Sequence, residues 1–389
     1  PADAANMPRL RSSSAGAVFQ SRTNAGYWIF DGLELTDNAS GNTVVNFLLD
    51  FASFPGANNL TVQRSYIHPK EIGTTNYNRA AIRGMEFEGS GMLFKWNYAA
   101  GFLGRQPDNQ LPTTQVILCI TCSNLTVSDN YLEAWYTALF TGGGGENPEY
   151  TATLSGTVNT TQADFSTVTG LAPGVIIRFN LEGAGTLNSQ TSFTRSSGAS
   201  LTSADVNHTI WITNGTITER AKVTAVSGNN YTIEPYNSAV PTGACTFVVF
   251  ETAKVTSVSG NTVRYTPVGL NYLTQAPSTP GTAAWRVHQV VHDINIIKNT
   301  FSIDIAHAQY EHATYGNSPK GWVEMKAGDN VLYEGNYFIN YPSAMVFTQH
   351  SNEGYTPWTT VQNLTIRSNF VNTVYDSIGT RQWLIISMD

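Results

Sequence analysis

The chain has 389 residues, enough for one large domain or several ordinary ones, and only 13% of them are Asp, Glu, Lys or Arg, where about 25% is usual. Its 18 Tyr, 18 Phe, 8 Trp and 33 Gly, beside abundant Asn, Ser and Thr, describe an all-β protein with many turns and a surface of amides and hydroxyls. A net charge of −7 without a basic cluster argues against a nucleic-acid partner, and no apolar run approaches the roughly 18 residues of a membrane helix.

The opening residues, PADAANMPRLRSSSAG, lack the apolar stretch of a signal peptide. A repeat follows: YWIFDGLEL at 27, NLTVQRSYI at 59, GMLFKWNYA at 91, NLTVSDNYL at 124, DINIIKNTF at 293, NVLYEGNYF at 330 and NLTIRSNFV at 363. Each copy alternates apolar and polar residues. Most then place an Asn before an aromatic or aliphatic residue, at Asn97, Asn130, Asn299, Asn336 and Asn369. Asn tolerates left-handed backbone angles and bonds its own turn, so this phase predicts a ladder of stacked Asn side chains at a corner. A second strand-like run precedes most copies, as in VVNFLLDF, QVILCITC and GWVEMKAG. Two or three short strands in a period near 33, without helical periodicity, predict a parallel β-solenoid of about seven coils.

The interval from 124 to 293 is too long for one coil, and removing residues 150–282 leaves an ordinary one. The sequence therefore divides into 1–149, an inserted domain at 150–282, and 283–389. Within the insert, AKVTAVSGNNYTIEP at 221 recurs as AKVTSVSGNTVRYTP at 253. Alternation around SGNN and SGNT turns predicts hairpins in a small β-barrel or sandwich. RQWLIISMD, the last residues given, reads as a strand of a further coil and suggests self-association through an open solenoid end. Cys119 and Cys122 in CITC have metal-ligand spacing, but residues three apart on a strand face opposite ways, so buried thiols are expected there.

The repeats resemble the right-handed parallel β-helix proteins of the pectate-lyase-like superfamily. The stretches VEMKAGDNVLYEGNYF and TPWTTVQNLTIRSNFV are particularly similar to a group of secreted bacterial β-helix repeat proteins without an established activity. The resemblance covers 1–148 and 283–389 and implies an extracellular or cell-surface setting. Characterised superfamily members act on acidic polysaccharides, the lyases with carboxylate-held calcium and an Arg or Lys base, the hydrolases with clustered Asp. The chain has no Asp-Asp pair, no Asn-Thr-Asp, no Gly-His-Gly and no Arg-x-Pro-x-x-Arg.

In GWVEMKAGDN, alternation with Val323 and Met325 inward puts Trp322, Glu324 and Lys326 on the outer face. Lys326 would then be a base, Glu324 a partner for calcium or a substrate carboxylate, and Trp322 a sugar platform; the same residues also read as a weak surface ion pair. His350 in the following coil is a further proton-transfer candidate. Arg83 with Glu86 and Glu88, and the aromatics Trp135, Tyr136, Tyr355 and Trp358, are candidates for substrate binding or for packing between loops. TGGGGENP at 141–148 lacks the Lys of a phosphate loop. Of eight sequons, Asn159, Asn207, Asn214 and Asn230 lie in the insert, where hairpin tips would carry a glycan. Two functions follow: a secreted carbohydrate-active protein, a polysaccharide lyase if active, and a non-catalytic extracellular structural or adhesive solenoid.

Overall fold

The computed structural model describes residues 4–12, 16–22, 26–38, 45–52, 57–70, 81–103, 114–142, 147–156, 158–215, 217–236, 242–269, 271–277, 281–286, 291–315, 319–340, 345–348, 355–372 and 384–387. They divide into two compact units, Pro1–Gly144 with Gln289–Gln349 and Thr360–Met388, and Gly145–His288 with His350–Thr359.

The first unit is a parallel β-helix. One sheet, called sheet A, stacks eight strands from Arg9–Arg11 to Phe370–Asn372 in parallel register. The other, sheet B, has thirteen strands in two arms. The solenoid makes about nine turns rather than seven. The first rungs, Arg9–Arg11 and Phe19–Gln20, carry no copy of the repeat motif, so periodicity could not count them.

Two left-handed residues shape each coil. The first falls at Tyr27, Asn59, Gly91, Asn124, Asp293, Asn330 and Asn363, with φ between 50° and 78°. The second follows five residues later, at Gly32, Arg64, Trp96, Asp129, Lys298, Gly335 and Ser368. Asn124 is thus a corner residue, and its side-chain amide donates to Ser90 Oγ at 3.0 Å. The ladder Asn is the residue after the second corner, not a left-handed one itself. Asn97, Asn130, Asn299 and Asn336 each donate Nδ2 to Oδ1 of the next ladder Asn, at 2.8 to 3.1 Å. Each also donates to a main-chain carbonyl, Asn130 to Phe94 O at 2.9 Å and Asn299 to Val127 O at 2.8 Å. These side chains are buried and fully used, which is the condition for keeping an amide inside a core.

Parallel register stacks like residues into the core. One inward column runs Leu60, Met92, Leu125, Ile294, Val331 and Leu364, and another Leu49, Met85, Ile117, Leu139, Val323 and Met345. Cys119 and Cys122 form a disulfide with Cα atoms 5.8 Å apart. The simple alternation argument failed because register shifts between Leu118 and Thr121, a bulge that turns both sulfurs inward together. A helix also interrupts the strands: α1, Ile305–Tyr315, begins where Asp304 Oδ1 accepts from His307 N at 2.9 Å. Its apolar residues are short and few, which left no helical period in the sequence. No helix among the described residues is long and apolar enough to cross a membrane.

The segment Gly145–His288 contains a closed, mainly antiparallel barrel of ten strands from Tyr150–Ser155 to Thr282–Trp285. The internal duplication is a duplication of hairpins. Ala221 pairs with Pro235 and Val223 with Ile233, then a bulge, then Ser227 with Asn230. Ala253 pairs with Pro267 and Val255 with Tyr265, then a bulge, then Ser259 with Thr262. The two copies line separate apolar clusters, one around Ile212, Tyr231 and Phe247 and one around Phe179, Tyr265 and Trp285.

Candidate functional site

The residue after each ladder position starts a strand of sheet A and points outward, because its successor (Leu35, Ile67, Ala99, Leu132, Phe301, Phe338) faces the core. In register, the outward column reads Arg9, Glu34, Tyr66, Tyr98, Tyr131, Thr300, Tyr337 and Phe370. The rings of Tyr98 and Tyr131 stack at 4.7 Å and 6°, Tyr66 meets Tyr98 edge-on at 5.7 Å, and His68 stacks on Tyr66 at 4.1 Å. Tyr337 and Phe370 continue the column with rings 5.0 Å apart.

At the early rungs this face forms a groove of about 500 Å³, with Arg9, Arg11, Lys70, Tyr66, Tyr98 and Glu133 among its walls. Glu34 anchors one end. Arg9 Nε donates to its Oε2 at 2.5 Å and His68 Nε2 lies 3.1 Å from Oε1. Burial works to raise the Glu34 carboxyl, but the hydrogen bonds from Arg9 and His68 outweigh it and hold the group below the usual carboxylate range. At the other end Tyr131 donates its hydroxyl to Glu133 Oε2 at 2.9 Å, and Gly101 N donates to Oε1 at 3.2 Å. Burial, reinforced by Glu133, raises the Tyr131 and Tyr98 phenols, so both remain neutral donors at ordinary pH. Flat rings beside exposed cations, with carboxylates at either end, suit a ligand with apolar ring faces, hydroxyls and anionic groups.

The residues singled out in the sequence lie elsewhere. Val323 and Met325 do face the core and Glu324 the opposite side, but Glu324 is only 1% exposed. Lys320 Nζ bonds its Oε1, and Lys326 Nζ lies 3.6 Å from the same oxygen. Trp322 is not an outer platform: its ring packs 5.1 Å from core Phe338 and its Nε1 donates to Ile339 O at 3.0 Å. It is the second residue of the strand Gly321–Met325, all five of whose residues are buried, so alternation there does not separate a core face from a solvent face. Trp135 is likewise buried, edge-on to His307 at 4.9 Å, while half-buried Tyr136 lies under the Lys320 ammonium at 5.8 Å.

Arg83 bonds Gln115 Oε1 and covers the Phe47 ring at 5.2 Å. Beside it burial pushes the Glu86 carboxyl up to about 7, with Glu88 and Asp50 adding to the effect and Arg83 opposing it. Glu86 and Glu324 share one outward column, but Leu118 and Phe140 stand between them, a separation of about 14 Å at three rungs. Trp358 is buried and Tyr355 half-buried against the Arg178 guanidinium, 5.5 and 4.7 Å from their ring centres. His350 lies outside the described residues. Among the sequons of the insert, Asn207 and Asn230 are exposed, whereas Asn214 donates to Thr242 O and Asn159 Oδ1 closes a turn by accepting from Thr161 N and Gln162 N.

The aromatic column had a visible signal: Asn-Tyr at 97–98, 130–131 and 336–337 and Asn-Phe at 369–370 recur at one phase. Reading it as a face required knowing which side of the Asn points outward. No family model matches the chain, and no curated protein matches it.

Proposed function

We propose that this chain is a secreted, pectate-lyase-like β-helix protein that binds an acidic polysaccharide along the outer face of sheet A, holding the glycan rather than cleaving it. The observation that carries the reading is the in-register column Tyr66, Tyr98 and Tyr131, whose members Tyr66 and Tyr98 share one groove with Arg9, Arg11 and Lys70. Aromatic faces stack on the C–H faces of sugar rings, and guanidinium and ammonium groups receive uronate carboxylates. The resemblance of the repeats to glycan-active β-helices supports the same ligand class and an extracellular setting. Cleavage is disfavoured because Lys326 and Lys320 are both directed at buried Glu324.

A structural or adhesive role is the second reading. The exposed pair Tyr337 and Phe370, which extends the column beyond the groove, favours it. Affinity electrophoresis through gels containing an acidic or a neutral polysaccharide tests the proposal. Retardation by the acidic polymer alone, lost in Tyr98→Ala and unaccompanied by unsaturated product, is expected; equal mobility in every gel would overturn it.

A further inference from the structure

The barrel contains a buried polar cluster with an imidazole at its centre. Asp205, His208 and Glu251 are each about 1% exposed or less, and one candidate ligand atom from each lies within 4.8 Å of the others. His208 Nδ1 is 3.4 Å from Glu251 Oε1 and 3.7 Å from Asp205 Oδ1. Neither ring nitrogen of His208 has a hydrogen-bond partner, although its Nδ1 is aimed between the two carboxylates. An imidazole this deeply buried is ordinarily bonded.

The outer oxygens of both carboxylates are already held. Thr202 N and Oγ1 donate to Asp205 Oδ2 at 2.5 and 3.0 Å, and Thr274 N donates to Glu251 Oε2 at 3.0 Å. The inner oxygens, Asp205 Oδ1 and Glu251 Oε1, converge on Thr274 Oγ1 at 2.6 and 3.0 Å. That hydroxyl has one proton for two carboxyl acceptors. The result is a nitrogen and two carboxyl oxygens, oriented by a second layer of donors, around one point.

The other half of the barrel supplies an internal control. There Val175 N donates to Ala172 O, Gly174 N to Val255 O, and Val255 N to Val175 O. At the cluster, His208 N donates to Asp205 O, Asn207 N to Val223 O, and Val223 N to His208 O. The same turn against the same hairpin is thus built once with Ala172 and Val175 and once with Asp205 and His208. The main-chain pattern needs no imidazole; Asp205 caps the Ser203–Asp205 turn through Oδ2, so it is the His208 ring and the inner carboxyl oxygens that the turn leaves without a structural use.

The geometry points to a divalent transition-metal site, with Zn²⁺ the best-suited ion, bound by Asp205, His208 and Glu251, with Thr274 Oγ beside the fourth position. Zinc bonds of about 2.0–2.2 Å to nitrogen and carboxylate oxygen set tetrahedral ligand-to-ligand distances of about 3.3–3.5 Å, close to the two measured from His208. One imidazole with two carboxylates suits zinc better than calcium, which takes six or more oxygens. Bound there, the ion would tie the short turn at Ser203–Asp205 to the strand bearing Glu251 and the loop bearing Thr274.

The test uses the full chain, freed of any oligohistidine tag and stripped with a chelator, then titrated calorimetrically with ZnCl₂, MnCl₂ or CaCl₂ and assayed for bound metal by mass spectrometry. One equivalent of Zn²⁺ per chain is expected, with affinity at least about 100-fold weaker in His208→Ala and in the near-isosteric Glu251→Gln. Glu251→Gln, checked by circular dichroism, keeps the comparison valid should His208→Ala not fold. Zn²⁺ should raise the wild-type melting temperature and leave that of Glu251→Gln unchanged. No zinc uptake by the folded wild-type chain, uptake of calcium in preference to zinc, or equal zinc uptake by Glu251→Gln would each overturn the assignment.

Discussion

Asn130 donates its side-chain amide to the side-chain oxygen of Asn299 at 2.8 Å, although 169 positions separate the two in the chain. The ladder inside the β-helix therefore runs unbroken past the inserted barrel segment, and the coil on either side of the insertion is one structural unit. Asn299 Oδ1 accepts from both Asn130 N and Asn130 Nδ2, and Asn299 Nδ2 donates to Val127 O. Asn299→Leu keeps the volume and orphans these buried groups. It should lower stability by about 2–4 kcal/mol, read as a shift in the urea midpoint at constant slope; an unchanged midpoint would show that the ladder carries no net stability.

Asn124 has φ 51° at a corner and is exposed, so shape rather than packing determines what the position accepts. Asn124→Gly should be neutral within a few tenths of a kcal/mol, whereas Asn124→Val, with a β-branched side chain in a left-handed conformation, should cost about 1–2 kcal/mol. Equal stability of the two variants would remove the conformational explanation of Asn124.

What the sequence revealed and what it hid follow from the same residues. The Asn ladder and its corners were readable because each coil reuses one backbone conformation, and only a few residue types fit it. The hairpin duplication was readable for the same reason, down to the bulges after Val223 and Val255. Trp322 was misplaced because every residue of its strand is buried, and the Cys119–Cys122 bridge because a bulge breaks strict alternation. Helix α1 carries too few apolar residues to show a period. The groove on sheet A depends on Arg9 and Glu34, from coils in which the motif is weak, meeting Tyr66 and Tyr98.

Glu324 lies at 1% exposure between Lys320 and Lys326. Replacing Lys320 and Lys326 together with Met would strand a buried carboxylate and should cost about 3–5 kcal/mol. Lys326→Met alone should cost less than about 1 kcal/mol, because Lys320 remains bonded and the Lys326 chain is partly exposed. Thermal melts check this supporting role: a double variant as stable as wild type would overturn it.

The Glu86 carboxyl is pushed up to about 7, first by burial and then by Glu88 and Asp50, against the pull of Arg83. Between the ordinary carboxylate range and about 7 the folded chain therefore holds a proton that the unfolded chain has released. Stability contributed by this group falls as pH rises through that window. Glu86→Gln should flatten this part of the profile, raising the urea midpoint at pH 7.5 relative to wild type while leaving it nearly unchanged at pH 4.5. A parallel displacement of the whole profile would show that Glu86 does not titrate there.

Glycan binding in the sheet A groove combines two kinds of contact that salt separates. Arg11 is exposed at the groove wall, so its attraction to a uronate carboxylate is screened over a Debye length of about 8 Å at physiological ionic strength. Tyr98, 37% exposed and stacked on Tyr131, contributes by ring contact, which salt scarcely touches. Arg11→Ala should weaken binding of an acidic polysaccharide about fivefold at low salt and leave a flatter salt dependence. Tyr98→Ala should weaken it about tenfold at every salt concentration, with the slope unchanged. Calorimetric titrations at three ionic strengths separate the two outcomes. If both variants shifted the slope equally, the ring column would act only by placing the charges, and the direct stacking contact would have to be abandoned.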